Sequence, residues 1–168
     1  IHGCLVGSEM CIRDSHDVVV EGNSWHIWYL SGLDWLPGDP PQSTYNLRYA
    51  VSENGIDWHR SGTVAVDFEH KNEIAIARPC VRQDSDKWRM WYCYRGSDFA
   101  YRVGYAESED AVRWRRLDDK AGIGVSEDGW DSEMICYPYV FDHKGARYML
   151  YNGNGFGASG IGLAVLEA

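Results

Sequence analysis

Two glutamates one repeat apart, Glu73 and Glu133, are the residues whose type and spacing best suit chemistry. Glu73 lies six residues before Pro79, in Glu73-Ile74-Ala75-Ile76-Ala77-Arg78-Pro79, and Glu133 lies five before Pro138, in Glu133-Met134-Ile135-Cys136-Tyr137-Pro138. Paired carboxyls do acid–base work when one is protonated and donates while the other stays ionised and activates water. Asp131, two residues before Glu133, points the same way on an extended chain and competes for the acid role; it reads equally as a turn residue after Gly129. Arg78 offers a planar fork to hydroxyls or to a phosphate, or it locks Glu73 in an ion pair. Asn152-Gly153-Asn154-Gly155-Phe156-Gly157 lacks the trailing Lys of a phosphate-binding loop. It reads as a rim loop whose Asn152 and Asn154 reach a ligand, with a tight turn as the alternative. Arg95 and Asp98 have the same standing one repeat earlier. His70-x-x-Glu73 lacks the second His of a zinc-protease motif, so no metal is expected. Nor does the sequence hold a nucleophile elbow, and no cofactor is expected.

The elements that must position these side chains repeat. Trp25-His26-Ile27-Trp28-Tyr29, Trp88-Arg89-Met90-Trp91-Tyr92 and Arg147-Tyr148-Met149-Leu150-Tyr151 align. Tyr49 to Trp58 matches Tyr105 to Trp114, and a third copy of that motif starts at Gly162. Each repeat reads as short strands separated by turns: Arg78–Gln83, Trp88–Tyr94, Val103–Ser108 and a fourth near Trp114. Helix content should be low, because no segment keeps a 3.6-residue period. Met90-Trp91-Tyr92-Cys93-Tyr94 is apolar at successive positions, as a strand buried on both faces is. Four-stranded sheets stacked around an axis, as in a β-propeller, bury strands this way. The first strand of each blade then lines a central channel, where Glu73 and Glu133 are expected to project from neighbouring blades.

The Ala-x-Ser-x-(Asp/Asn)-Gly-x-x-Trp pattern following an aromatic Met-Trp-Tyr strand resembles the five-bladed propeller glycosidases. These are the superfamily of arabinanases, invertases and levansucrases, with glycoside hydrolase family 43 as a large branch. The resemblance covers residues 17–168. It implies an all-β fold and a glycosidic bond cleaved by carboxylates from three consecutive blades. By order along the chain, Glu133 is then the general acid and Glu73 the middle, orienting carboxylate, where the family typically has Asp. The third carboxylate would come from the preceding blade; counting back places it at Met10, with Asp17 a poor substitute. Trp130, Tyr137 and Trp35 are candidates to stack on sugar faces, although most aromatics here should be core. The expected partner is an oligosaccharide or polysaccharide. Two alternatives share the fold: a glycoside phosphorylase using Arg78, Arg95 and Arg102 for phosphate, and a non-catalytic sugar-binding propeller.

Composition narrows the rest. The chain has 168 residues and a net charge of −9, which argues against nucleic acid as a partner. No apolar run reaches the ~18 residues of a membrane-spanning helix. Residues 1–15 share no pattern with the rest of the chain and read as non-native, adapter-like sequence. Without them, Cys80, Cys93 and Cys136 remain, an odd number with no CxxC pair, so no disulfide framework is expected and a cytoplasmic location fits. At about 60 residues per repeat, residues 16–168 make about two and a half four-stranded antiparallel blades, fewer than the four to eight of a propeller. The expectation is the C-terminal portion of one propeller domain, separated from its N-terminal blades and aggregation-prone by itself.

Overall fold

The computed structural model describes residues 15–166. Among them lie eleven strands: β1 (His16–Glu21), β2 (Ser24–Leu36), β3 (Gln42–Ser52), β4 (Val64–Val66), β5 (Glu73–Gln83), β6 (Trp88–Gly96), β7 (Arg102–Ser108), β8 (Arg115–Arg116), β9 (Cys136–His143), β10 (Ala146–Asn152) and β11 (Ile161–Val165). Helix is confined to single turns at Asp118–Lys120 and Asn154–Gly157. The strands form three antiparallel blades, β1 to β4, β5 to β8, and β9 to β11, the first two joined into one sheet by a parallel pairing of Tyr45 in β3 with Ala75 in β5.

The first strands of the three blades lie side by side. Asp17 of β1 accepts the Val81 amide of β5 at 2.6 Å. The Val140 amide of β9 donates to the Cys80 sulfur of β5 at 3.1 Å. Ser15 is buried, and its hydroxyl accepts the Arg78 amide. The expectation that residues 1–15 are foreign falls outside the described residues except at Ser15, which is built into the fold.

Alternation along β6 explains why Met90 to Tyr94 is apolar at every position. Trp88, Met90 and Tyr92 pack with Trp28, Leu47 and Tyr49 between the first two blades. Trp91 turns the other way, onto Val140, Met149 and Tyr151 of the third. Trp28 is fully buried, and its indole N–H donates to the Ala111 carbonyl at 3.0 Å. Cys80, Cys93 and Cys136 are free thiols, all buried; burial pushes the Cys93 thiol up to about 12 and that of Cys136 to about 11.

Two bulges repeat with the blades. In β5 the register slips between Ala77 and Cys80, so Arg78 and Pro79 stand opposite one residue of β6. In β9, Tyr137 and Pro138 stand opposite one residue of β10. The strand expected to start at Arg78 therefore starts earlier, at Glu73, and runs through the bulge. Arg78 (φ 55°) and Tyr137 (φ 58°), the matching pre-proline residues, are both left-handed. Bulky residues rarely adopt that conformation, and bulges re-aim side chains beside functional sites.

Candidate functional site

The matched bulges turn Arg78 and Tyr137 toward each other, the guanidinium lying 4.7 Å from the ring centroid. Phe156 stacks on Tyr137, with centroids 6.1 Å apart and planes within 28°. It too is left-handed (φ 59°), in the Asn154–Gly157 turn, and is 55% exposed. Three strained side chains from two blades and a loop thus form one row, Arg78–Tyr137–Phe156. Tyr101 closes its flank, 6.0 Å from Phe156 edge-on and 6.4 Å from Tyr137. The hydroxyls of Tyr101 and Tyr45 lie 2.5 Å apart, and Arg95 covers the Tyr101 ring at 5.7 Å. Burial raises the Tyr137 phenol to about 12, so it is a neutral hydrogen-bonding group at neutral pH. Left-handed conformations cost of order 1–2 kcal/mol each for non-glycine residues, and such strain clusters at ligand sites.

The sequence-predicted carboxylates are not brought together. The bulges superimpose Tyr137 on Arg78, 59 positions apart, so Glu133 stands level with Ile74 rather than Glu73. A one-residue offset reverses the face of a strand. Glu73 turns inward, its side chain wholly inaccessible, and Arg116 donates to both its oxygens at 2.7 Å. The amides of Glu69 and His70 complete its shell. Burial opposes ionisation, but the Arg116 fork and these amides hold the Glu73 carboxyl below the usual range. The locking arginine is therefore Arg116, not Arg78. Arg116 also binds Asp118 at 2.5 Å and lies over Tyr92 and Tyr94. His70, Glu73 and Asp118 could in principle gather round a cation, their ligand atoms lying within 4.8 Å. Arg116 already supplies the positive charge there, so these residues do not fit a metal.

Glu133 is exposed on the rim. Its amide donates to Asn154 Oδ1 at 2.9 Å and its carbonyl accepts from Arg102 at 2.8 Å. Asp131 is buried and accepts the Tyr151 hydroxyl at 3.0 Å. The loop asparagines hold backbone rather than reaching outward. Asn154 accepts the amides of Glu133 and Met134 and donates to the Gly129 carbonyl; Asn152 donates to the Phe156 carbonyl at 2.9 Å. Together they clamp the turn that presents Phe156. Trp130 wedges under the same turn: it stacks on Tyr151 at 5.6 Å, and a Cβ at Gly153 or Gly162 would collide with its ring. It supports the loop while 37% of it stays exposed. Arg95 donates to Gln42 at 3.1 Å, and Trp35 is exposed toward the far end of β2. Sequence reasoning missed Tyr45, Tyr101, Phe156 and Arg116. The paired Arg-Pro and Tyr-Pro steps were the available signal for the row.

No family model matches the chain. Its strand arrangement superimposes on a Bombyx mori family 32 β-fructofuranosidase with a TM-score of 0.69 and 22% identity, over 90% of this chain and 31% of that one. A family 117 glycoside hydrolase of Zobellia galactanivorans gives 0.67 at 17% identity, over 93% and 52%. A thermostable family 43 glycoside hydrolase gives 0.61 at 17%, over 88% and 45%. The fold is that of the propeller glycoside hydrolases. Two curated Mycobacterium tuberculosis proteins, each described only as uncharacterized, are 45% identical over 150 residues, which is 89% of this chain. The chain spans about half the length of these relatives, 49%. Within the propeller, the Arg78–Tyr137–Phe156 row sits where the first strands of the second and third blades meet the loop after β10.

Proposed function

We propose that this propeller engages a saccharide at the row, with a sugar ring laid against Phe156 and Tyr137. The observation that carries this is the convergence of three left-handed, non-glycine side chains into a single stack, with an exposed aromatic at its outer end. Aromatic faces bind the C–H faces of sugars, while nearby polar groups fix orientation. Binding of a panel of neutral mono- and oligosaccharides, followed by saturation-transfer NMR on the 168-residue chain, tests it. Saturable binding weakened at least tenfold in Phe156→Ala is expected. No saturable binding across the panel, or equal binding by the variant, would overturn it.

Glycosidic cleavage is a second function on the same face, favoured by the tie between Glu133 and the Phe156 turn through Asn154. Glu133 would protonate the leaving oxygen as the C–O bond breaks, and water would add to the anomeric carbon with its proton taken by an ionised partner. Phosphorolysis would replace the water with phosphate. Release of reducing sugar by the wild type but not by Glu133→Gln, with binding intact in both, is the outcome that supports hydrolysis; release by both removes Glu133 from the role.

A further inference from the structure

The described arginines differ in their partners. Arg82, Arg89, Arg113, Arg116 and Arg147 each pair with a carboxylate. Arg95, over the Tyr101 ring, and Arg102, bonded to the Tyr101 carbonyl, pair with none among the described residues. Arg95 donates to the neutral Gln42 side chain, and Arg102 to the carbonyls of Ala100, Tyr101 and Glu133. Arg95 is half-buried against Tyr101, with the Tyr45 and Tyr101 hydroxyls beside it. One proton suffices for the 2.5 Å contact between those hydroxyls. The other hydroxyl proton is left to donate elsewhere, since each phenol carries one. A guanidinium fork and a phenolic O–H converge there, with a partly desolvated aromatic wall behind them. Such a group favours an oxyanion over a neutral hydroxyl, because charge-assisted bonds are about twice as strong as neutral ones.

We propose that the Arg95–Tyr101 flank of the row is an oxyanion subsite, taking the carboxylate or phosphate of a charged saccharide. The ring of that saccharide would stack on Tyr137 and Phe156, so this inference rests on the saccharide-binding face proposed above. Arg95 would grip two oxygens of the anion, and the free Tyr45 or Tyr101 hydroxyl would donate to one of them. Arg102 would hold the Glu133 segment as the opposite wall.

The test compares glucose, glucuronate, glucose 6-phosphate and inorganic phosphate as probes, by titration calorimetry on the wild-type chain, Arg95→Gln and Arg95→Lys. At least one charged sugar should bind tenfold or more tighter than glucose, the preference should vanish in R95Q, and R95K should keep part of it. Circular dichroism of both variants establishes that they fold. Competition by inorganic phosphate against glucose 6-phosphate supports the subsite and makes phosphate its anion; glucuronate binding without such competition supports it and makes a sugar carboxylate its anion. Phosphate binding lost in R95Q, with no sugar bound, keeps the subsite and removes the stacking face. Equal binding of glucose and both charged sugars, or a preference unchanged in R95Q, overturns the proposal.

Discussion

Arg116 holds Glu73 by two parallel hydrogen bonds of 2.7 Å, with both side chains almost wholly removed from water. The pair joins the last strand of the second blade to the start of its first, so it closes the blade across its width. Removing one partner of a buried ion pair strands the other charge, at a cost of about 3–5 kcal/mol. Asp118 still contacts Arg116 in Glu73→Gln, which places this variant at the low end, about 3 kcal/mol. Chemical denaturation measures it. A Glu73 that acted as a channel acid would instead lower activity with little change in stability.

The same pair sets an acid dependence. The folded Glu73 carboxyl titrates below its unfolded value, so its contribution is complete above the unfolded value and is lost as pH falls through the folded one. Stability of the wild type should therefore decline from about pH 5 downward. That decline should be shallower in Glu73→Gln, as read from urea midpoints at a series of pH values.

Phe156 separates strain from stability. Its ring is more than half exposed while its backbone is left-handed. Phe156→Gly removes a conformational cost of about 1 kcal/mol and forfeits little burial. The melting temperature should hold or rise by about 2–4 °C, while saccharide binding falls. A lower melting temperature with unchanged binding would make the residue structural.

How much of the fold and the site was legible in the sequence depends on what periodicity carries. Met90 to Tyr94 announced a strand buried on both faces, and the matching Trp-x-x-Trp-Tyr segments announced blades; burial acts on every residue of such a strand, so the pattern is dense. Glu73 and Glu133 aligned at 60 residues because each precedes a proline, but their distances to it differ by one, and one residue reverses a strand face. Arg116 sits in Arg113-Trp114-Arg115-Arg116, where nothing local says which arginine turns inward. Its partner is 43 residues away and met only through the fold. The row was hidden because left-handed φ at Arg78 and Tyr137 is marked in the sequence only by the proline that follows each, not by a glycine in the same place.

Trp28 is the centre of the packing between the first two blades. It lies within 5.8 Å of Trp88, Tyr49 and Trp114 by ring centroid, and it fills one bond of the Ala111 carbonyl. Trp28→Ala should cost about 3–5 kcal/mol, the range for large aromatics in a core. Trp28→Phe should cost less, because it keeps the stack and loses only the indole hydrogen bond. Urea unfolding followed by far-ultraviolet circular dichroism orders the two; equal losses would mean that the hydrogen bond, not the volume, carries the contribution.

The outer face of the third blade governs how the isolated chain behaves in solution. Tyr139, Leu150, Ile161, Leu163 and Val165 are exposed on β9, β10 and β11, with Leu163 58% and Ile161 69% accessible. A contiguous apolar sheet face of this kind drives association, and β11 is an edge strand whose free backbone groups can pair with another chain. Covering ~250 Å² of apolar surface on each partner yields about 12.5 kcal/mol at ~25 cal/mol/Å², which leaves about 8 kcal/mol, a micromolar dissociation constant, after an association cost of about 4 kcal/mol. The 168-residue chain should therefore self-associate at micromolar concentration. Replacing Ile161 and Leu163 with Lys places two charges on that face and should shift sedimentation toward monomer without lowering the unfolding midpoint. A wild-type chain that sediments as a monomer at every concentration tested would show that this face does not drive association.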